Sequence, residues 1–179
     1  MKWSPDLYRK AINFAATAHV GQTVPDKPYC YLAHIANVAM EIMVATAKVN
    51  YVDADLAIQC AILHDVLEDT DVTPEELENE FGLSVCKGVS ALTKNAKLPK
   101  RNRMPDSIQR ILIEPPEIGI VKMADRISNL QEPPDHWFED QISEYYEEAL
   151  AIYQALKHLN SQLADRLKMK MDEYKKYFE

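Results

Sequence analysis

Glycine is scarce in this chain and proline is not: four glycines stand against ten prolines in 179 residues. A sheet protein of this size needs glycine for its tight hairpins and β-branched residues in alternation. Neither pattern is present, whereas apolar residues recur at spacings of three and four throughout. The expected class is all-α. A length of 179 residues fits one domain spanning 1–179, and 47% apolar with 27% charged residues excludes a disordered chain, a collagen or a coiled-coil rod. The formal net charge of −8 repels polyanions, so no nucleic-acid partner is expected, and any phosphate contact needs a local basic patch. Cys30, Cys60 and Cys86 form no C-x-x-C pair and read as free thiols of a reducing, cytoplasmic setting. Asp6 stands where a signal peptide needs its apolar run, and the longest charge-free stretch, 11–25, carries Asn13, His19 and Gln22. No export signal and no membrane span are expected.

Helix signals punctuate the chain. Ser4-Pro5 is a cap and first-turn pair, followed by Leu7, Ala11, Phe14, Ala15 and Ala18 on one face. A polar connection, 21–28, leads to a helix from about Leu32 with Ile35, Val38, Ala39, Ile42 and Met43 inward, and a third runs from about Asp55 through Leu67. Thr73-Pro74-Glu75-Glu76 is a capping box, Phe81-Gly82 a stop, and a short helix follows from Ser84 to Leu92. The stretch 94–103 carries Lys94, Lys97, Lys100, Arg101 and Arg103 without an acid and reads as a basic loop. A helix from Glu117 to about Gln131 follows Pro115-Pro116, and one or two more fill 138–177 after Pro133-Pro134.

The informative stretch is Ala61-Ile62-Leu63-His64-Asp65-Val66-Leu67-Glu68-Asp69-Thr70. On one continuous helix Glu68 lies four residues after His64, and Asp69 four after Asp65, so three carboxylates and an imidazole converge within two turns. The helix is otherwise apolar, and desolvating such a cluster costs several kcal/mol unless a cation joins it. Acids at a helix end that simply face water are the plain alternative, above all for Asp69 and Asp71. Asp125 falls on the apolar stripe of its own helix, with Asn129 one turn on, and His34 borders an inward stripe with Val38 and Ile42. Together His34, His64, Asp65 and Asp125 form a set of two nitrogens and two oxygens that suits manganese, iron or zinc.

Ala18-His19-Val20-Gly21-Gln22, Tyr31-Leu32-Ala33-His34, the stretch 62–70 and 121–130 occur in an order that resembles the RelA/SpoT-type alarmone hydrolases of the HD superfamily. Residues 76–94, with E-x-E-F-G-x-x-V and a closing Leu92-Thr93-Lys94, also resemble that family. The acidic-aromatic helix around Glu144-Tyr145-Tyr146 is similar to the small single-domain hydrolases of the metazoan SpoT homologue type. The resemblance implies a single HD-type helical domain that removes the 3′-pyrophosphate of guanosine tetra- or pentaphosphate. It implies that His34, His64, Asp65 and Asp125 hold a manganese ion, that Glu68 and Asp69 are the catalytic acid pair, and that Asn129 and Tyr145 meet the nucleotide.

Departures from the family pattern cluster around the substrate. Residues 23–29, Thr-Val-Pro-Asp-Lys-Pro-Tyr, contain no arginine where the family has one that stacks on guanine, and Gln141 stands where a family arginine lies one turn before the tyrosine. The basic stretch, with Lys94, Lys97, Lys100 and Arg101, is expected to supply the positive field that an acidic protein needs to receive a small polyphosphate. His19 is expected to be structural, the aromatics from Trp137 to Tyr153 other than Tyr145 to be core, and Glu144, Glu147 and Glu148 to be a solvated face. Two rival readings remain: an HD phosphohydrolase for another nucleotide or nucleotide cofactor, and a non-catalytic nucleotide-sensing HD domain.

Overall fold

The structure, a computed structural model, describes residues 3–178. Its helices are α1 (Pro5–Ala18), α2 (Leu32–Thr46), α3 (Ala54–Leu63), α4 (Val66–Asp69), α5 (Pro74–Phe81), α6 (Leu83–Leu92), α7 (Lys100–Ile111), α8 (Pro116–Asn129), α9 (Glu139–Leu156) and α10 (Ser161–Tyr174), closed by a 3-10 turn, Lys175–Tyr177. Among the described residues the only β pairing is an isolated bridge between Thr23 and Cys30. None of these helices is long and apolar enough to cross a membrane.

The caps expected from the sequence form. Ser4 Oγ accepts from Leu7 N, and Thr73 and Glu76 exchange side-chain and backbone bonds in a full capping box. Helix α8 is the axis of the fold. Every residue from Glu117 to Ile127 is buried, including Lys122, Asp125 and Arg126, because α2, α3, α6, α9 and α10 all pack around it. Burying Ile118, Ile120, Val121 and Met123 stabilises the fold by about 1.5–3 kcal/mol each. Helix α6 comes so close that a Cβ at Gly88 would meet Ile118 Cδ1 at 2.5 Å and Cys60 Sγ at 2.9 Å.

Two segments differ from the sequence reading. The basic stretch is not all loop: α7 begins at Lys100 and runs through Pro105, held by Met104, Ile108 and Ile111 buried at spacings of four and three. That stripe begins only after Arg103, beyond the run of basic residues. Arg103 itself is spent on the chain, donating to the carbonyls of Leu98 and Ala96. The third helix is also not continuous. It ends at Leu63, and α4 restarts from the Asp65 carbonyl, which accepts from Glu68 N and Asp69 N. Two smaller expectations fail as well. Phe138 is 77% exposed, and Glu148 pairs with the buried Arg126 at 3.0 Å instead of facing only water.

Candidate functional site

The break between α3 and α4 shapes the site. Consecutive residues on a regular helix point about 100° apart. With the helix interrupted, His64 and Asp65 aim at one place, and His64 Nε2 lies 2.8 Å from Asp65 Oδ2. His34 reaches the same place from the first turn of α2, and Asp125 from the last turns of α8. The two Nε2 atoms are 3.2 Å apart, and Asp125 Oδ1 lies 3.5 Å from that of His34 and 3.6 Å from that of His64. His34, His64 and Asp125 each offer a donor atom within 4.8 Å of the others; Asp65 is not part of that mutual set, its Oδ2 lying on the histidine side, 3.8 Å from His34 Nε2.

This donor set fits a divalent cation. The Ala61 carbonyl lies 2.8 Å from His64 Nδ1 and can only accept, so Nδ1 carries a hydrogen and Nε2 is the nitrogen turned inward, bare when the ring is neutral. His34 is oriented alike by Ser128 Oγ at 3.1 Å from its Nδ1. Two inward ring nitrogens and the carboxylate oxygens of Asp65 and Asp125 therefore meet in a buried space, an arrangement that needs positive charge, whether a proton on an imidazole or a cation. Burial disfavours an imidazolium, yet the carboxylates of Asp65 and Asp125 outweigh it and hold His64 well above the usual imidazole range. Burial likewise opposes the Asp125 carboxylate, but Lys122, His34 and His64 keep it well below the ordinary value. Asp65 is lowered in the same way, against its burial, by His64 and by the Tyr31 hydroxyl that donates to it.

The surrounding shell was only partly legible. Lys122 Nζ donates to Asp125 Oδ2 at 3.0 Å and Asn129 Nδ2 to Asp125 Oδ1 at 2.6 Å, so Asp125 is gripped from the preceding and following turns of its own helix. Asn129 was expected near the site; Lys122, Ser128 and Tyr31 were not. Their signal lies in the spacing: Lys122 and Ser128 sit three residues either side of Asp125, and Tyr31 three before His34.

Glu68 and Asp69 end α4 beside the cluster in different environments. Lys94 holds both oxygens of Glu68, its backbone N–H donating to Oε2 at 2.8 Å and its ammonium lying 3.4 Å from Oε1. Among the described residues the Asp69 carboxylate has no hydrogen-bond partner. Burial, then the charges of Asp65 and Glu68, push it above the ordinary carboxylate range.

A cleft of about 600 Å³ opens from His34. One wall is the turn 23–30, with Val24, Pro25, Lys27 and Tyr29; another is the segment after α8, with Glu132, Pro133, Pro134 and Trp137; Asn129 and Tyr145 lie within it. Tyr145 is backed by the buried Arg126, whose guanidinium carbon sits 4.0 Å from the ring centroid. The stretch without arginine is therefore a cleft wall. Gln141 turns away and caps its own helix, accepting from Phe138 N at 3.1 Å. Lys97, Lys100 and Arg101 do not line the cleft, and Lys100 pairs with Glu144 at 3.6 Å on the surface.

The HD domain family model matches residues 11–160. The chain belongs to the HD domain family. Relatives of this HD domain include the guanosine-3′,5′-bis(diphosphate) 3′-pyrophosphohydrolase MESH1 of Mus musculus, 32% identical over 169 residues and 92% of each chain. MESH1 of Homo sapiens is 33% identical over 164 residues, 89% of each chain. Among solved structures, a metazoan ortholog of SpoT that hydrolyses ppGpp matches with a TM-score of 0.81 at 25% identity, over 95% of this chain and 96% of that one. A second match, lmo0812 from Listeria monocytogenes, has a TM-score of 0.66 at 20% identity and shares the fold.

Proposed function

We propose that this HD domain is a nucleotide pyrophosphohydrolase that removes the 3′-pyrophosphate of guanosine tetra- or pentaphosphate with a manganese ion. The observation that carries the reading is the convergence of His64, Asp65 and Asp125 on His34, which itself lines a cleft of about 600 Å³. The activity named for relatives that align along nearly their whole length supports the choice of substrate.

In this reading the two histidines and two aspartates hold the ion, which when bound lowers the pKa of water toward neutrality and offsets phosphate charge. Asp69, raised above the ordinary carboxylate value and without a partner, takes a proton from the attacking water. Glu68, fixed by Lys94, orients that water. The water oxygen bonds the phosphorus on the ribose 3′ oxygen, the bond from phosphorus to that oxygen breaks, and the 3′ oxygen leaves as a hydroxyl with the proton that Asp69 took from the water, passed back directly or through a solvent water. Pyrophosphate is released with the 5′-diphosphate from the tetraphosphate or the 5′-triphosphate from the pentaphosphate. Asn129 and Tyr145 contact the nucleotide, Lys94 the phosphates, and Lys97, Lys100 and Arg101 contribute a longer-range attractive field at the rim.

Product analysis tests the proposal. With manganese and guanosine tetraphosphate the expected products are pyrophosphate and guanosine diphosphate in equal amounts, with none formed by His64→Ala. No cleavage of that nucleotide alongside turnover of another nucleotide phosphate would overturn the substrate and leave a metal-dependent hydrolase. Nucleotide binding without any turnover would favour the sensing domain.

A further inference from the structure

Helix α4 is one turn long and cannot hold its own end in place. Three contacts do so. Thr70 Oγ1 donates to the Val66 carbonyl at 2.6 Å, Lys94 N donates to Glu68 Oε2 at 2.8 Å, and Gln22 Nε2 donates to the Asp69 carbonyl at 3.1 Å. The last comes from the turn after α1, where Gly21 adopts a φ of +81°. There Gln22 N donates to the His19 carbonyl at 3.1 Å.

The Gln22 amide has a second partner. Its NH2 is committed to Asp69, so Oε1 faces His19 Nδ1 and accepts from it, which fixes the hydrogen of the neutral ring on Nδ1. His19 Nε2 is then bare, buried and without a partner. The ring also stacks on Tyr31, centroids 4.9 Å apart and planes at 29°, and Tyr31 donates to Asp65. A phenylalanine could fill that stack without an orphaned nitrogen, so packing alone does not explain an imidazole here. Its Nδ1–H does, because that hydrogen sets which way the Gln22 amide faces.

We propose that His19 and Gln22 are positioning residues: His19 orients the Gln22 amide, and the amide fixes the backbone of Asp69 so that its carboxylate stands at a set place beside the ligand cluster. This rests on the reading of Asp69 as one of the catalytic pair. Neither residue touches the ion or the substrate cleft, so the expected signature is a loss in kcat with little change in KM or bound metal.

The test uses manganese-loaded full-length protein with guanosine tetraphosphate, with Asp69→Asn measured alongside. Gln22→Leu is expected to lower kcat by about tenfold to a hundredfold, the scale of a misplaced reacting group, while KM stays within about twofold. Bound manganese and melting temperature remain those of the wild type. His19→Phe, which keeps the stack, shows the same loss, and His19→Asn, whose amide nitrogen stands near the former Nδ1, recovers most of it. The double variant His19→Phe/Gln22→Leu is no worse than either single one, as expected for two links of one chain. Should Gln22→Leu fail to fold, Gln22→Glu keeps the shape, removes the donor and carries the same expectation. Wild-type kcat in Gln22→Leu or Gln22→Glu with an inactive Asp69→Asn, or additive losses in the double variant, would overturn the positioning role alone. Full activity of Asp69→Asn would overturn the acid-pair reading and this proposal with it.

Discussion

The ligand cluster and the cleft that opens from it are built on different principles. His34 and Asp125 stand on packed helices and His64 in the break after α3; all three are nine-tenths or more buried, and each is held by a second hydrogen bond or ion pair. The cleft walls are connections: the turn 23–30, tied by one β-bridge, and the proline-bearing segment after α8, joined across the mouth by a surface pair between Asp26 and His136 at 3.6 Å. A substitution in the first region disturbs several partners at once, whereas one in the second changes a side chain facing solvent or ligand. The departures from the alarmone-hydrolase pattern at residues 23–29 and at Gln141 fall in or beside the second region. Under the proposed function, this contrast assigns metal binding to the packed interior and much of the discrimination between substrates to the two connections.

The largest effect should come from breaking the cluster. His64→Ala and Asp125→Ala are expected to abolish both metal binding and hydrolysis. Asp125→Ala should also lower stability by about 3–5 kcal/mol in urea denaturation, because it strands the buried Lys122 ammonium. Retained metal with wild-type turnover in either variant would erase the contrast. Next, Asp69→Asn should keep the metal and lose about two to four orders of magnitude in kcat, which steady-state kinetics with elemental analysis would separate from a binding defect.

The cleft should respond more mildly. A stacked, desolvated guanidinium contributes about 1–2 kcal/mol, and Val24, Pro25, Lys27 and Tyr29 replace it only in part. Guanosine and adenosine 3′-pyrophosphates are therefore expected to differ by no more than about tenfold in kcat/KM, and Val24→Arg should tilt the ratio toward guanosine. Strong guanine preference in the wild type would mean that other cleft residues read the base. The smallest effect belongs to the rim. Replacing Lys97, Lys100 and Arg101 together by glutamine should raise KM by about twofold to fivefold at low salt and hardly at all at high salt, since these exposed charges are screened. A salt-independent change would point to direct phosphate contact.

The sequence carried the elements whose cause is local. The Ser4 and Thr73 caps, the stop at Gly82 and the start at Pro115-Pro116 need only neighbours in the chain, and they form as read. The break after Leu63 has a tertiary cause, the gathering of His64 and Asp65 with Tyr31, His34 and Asp125 from other helices, and the continuous apolar run conceals it. Helix α7 was obscured by its charge run and by Pro99 and Pro105, although Met104, Ile108 and Ile111 carry a readable stripe. His34, His64, Asp65 and Asp125 were legible because an ionisable residue on an apolar stripe asks for a partner. Their support was less so: Lys122 reads as a surface lysine and His19 as a core histidine until the folded chain shows what each holds.

The central claim is that four side chains from α2, the α3–α4 break and α8 make a metal centre, and counting the metal tests it most directly. After manganese loading and removal of free ions, elemental analysis should find about one equivalent per chain in the wild-type protein and essentially none in His64→Ala. Wild-type protein without stoichiometric metal, or His64→Ala with as much as the wild type, would contradict the account.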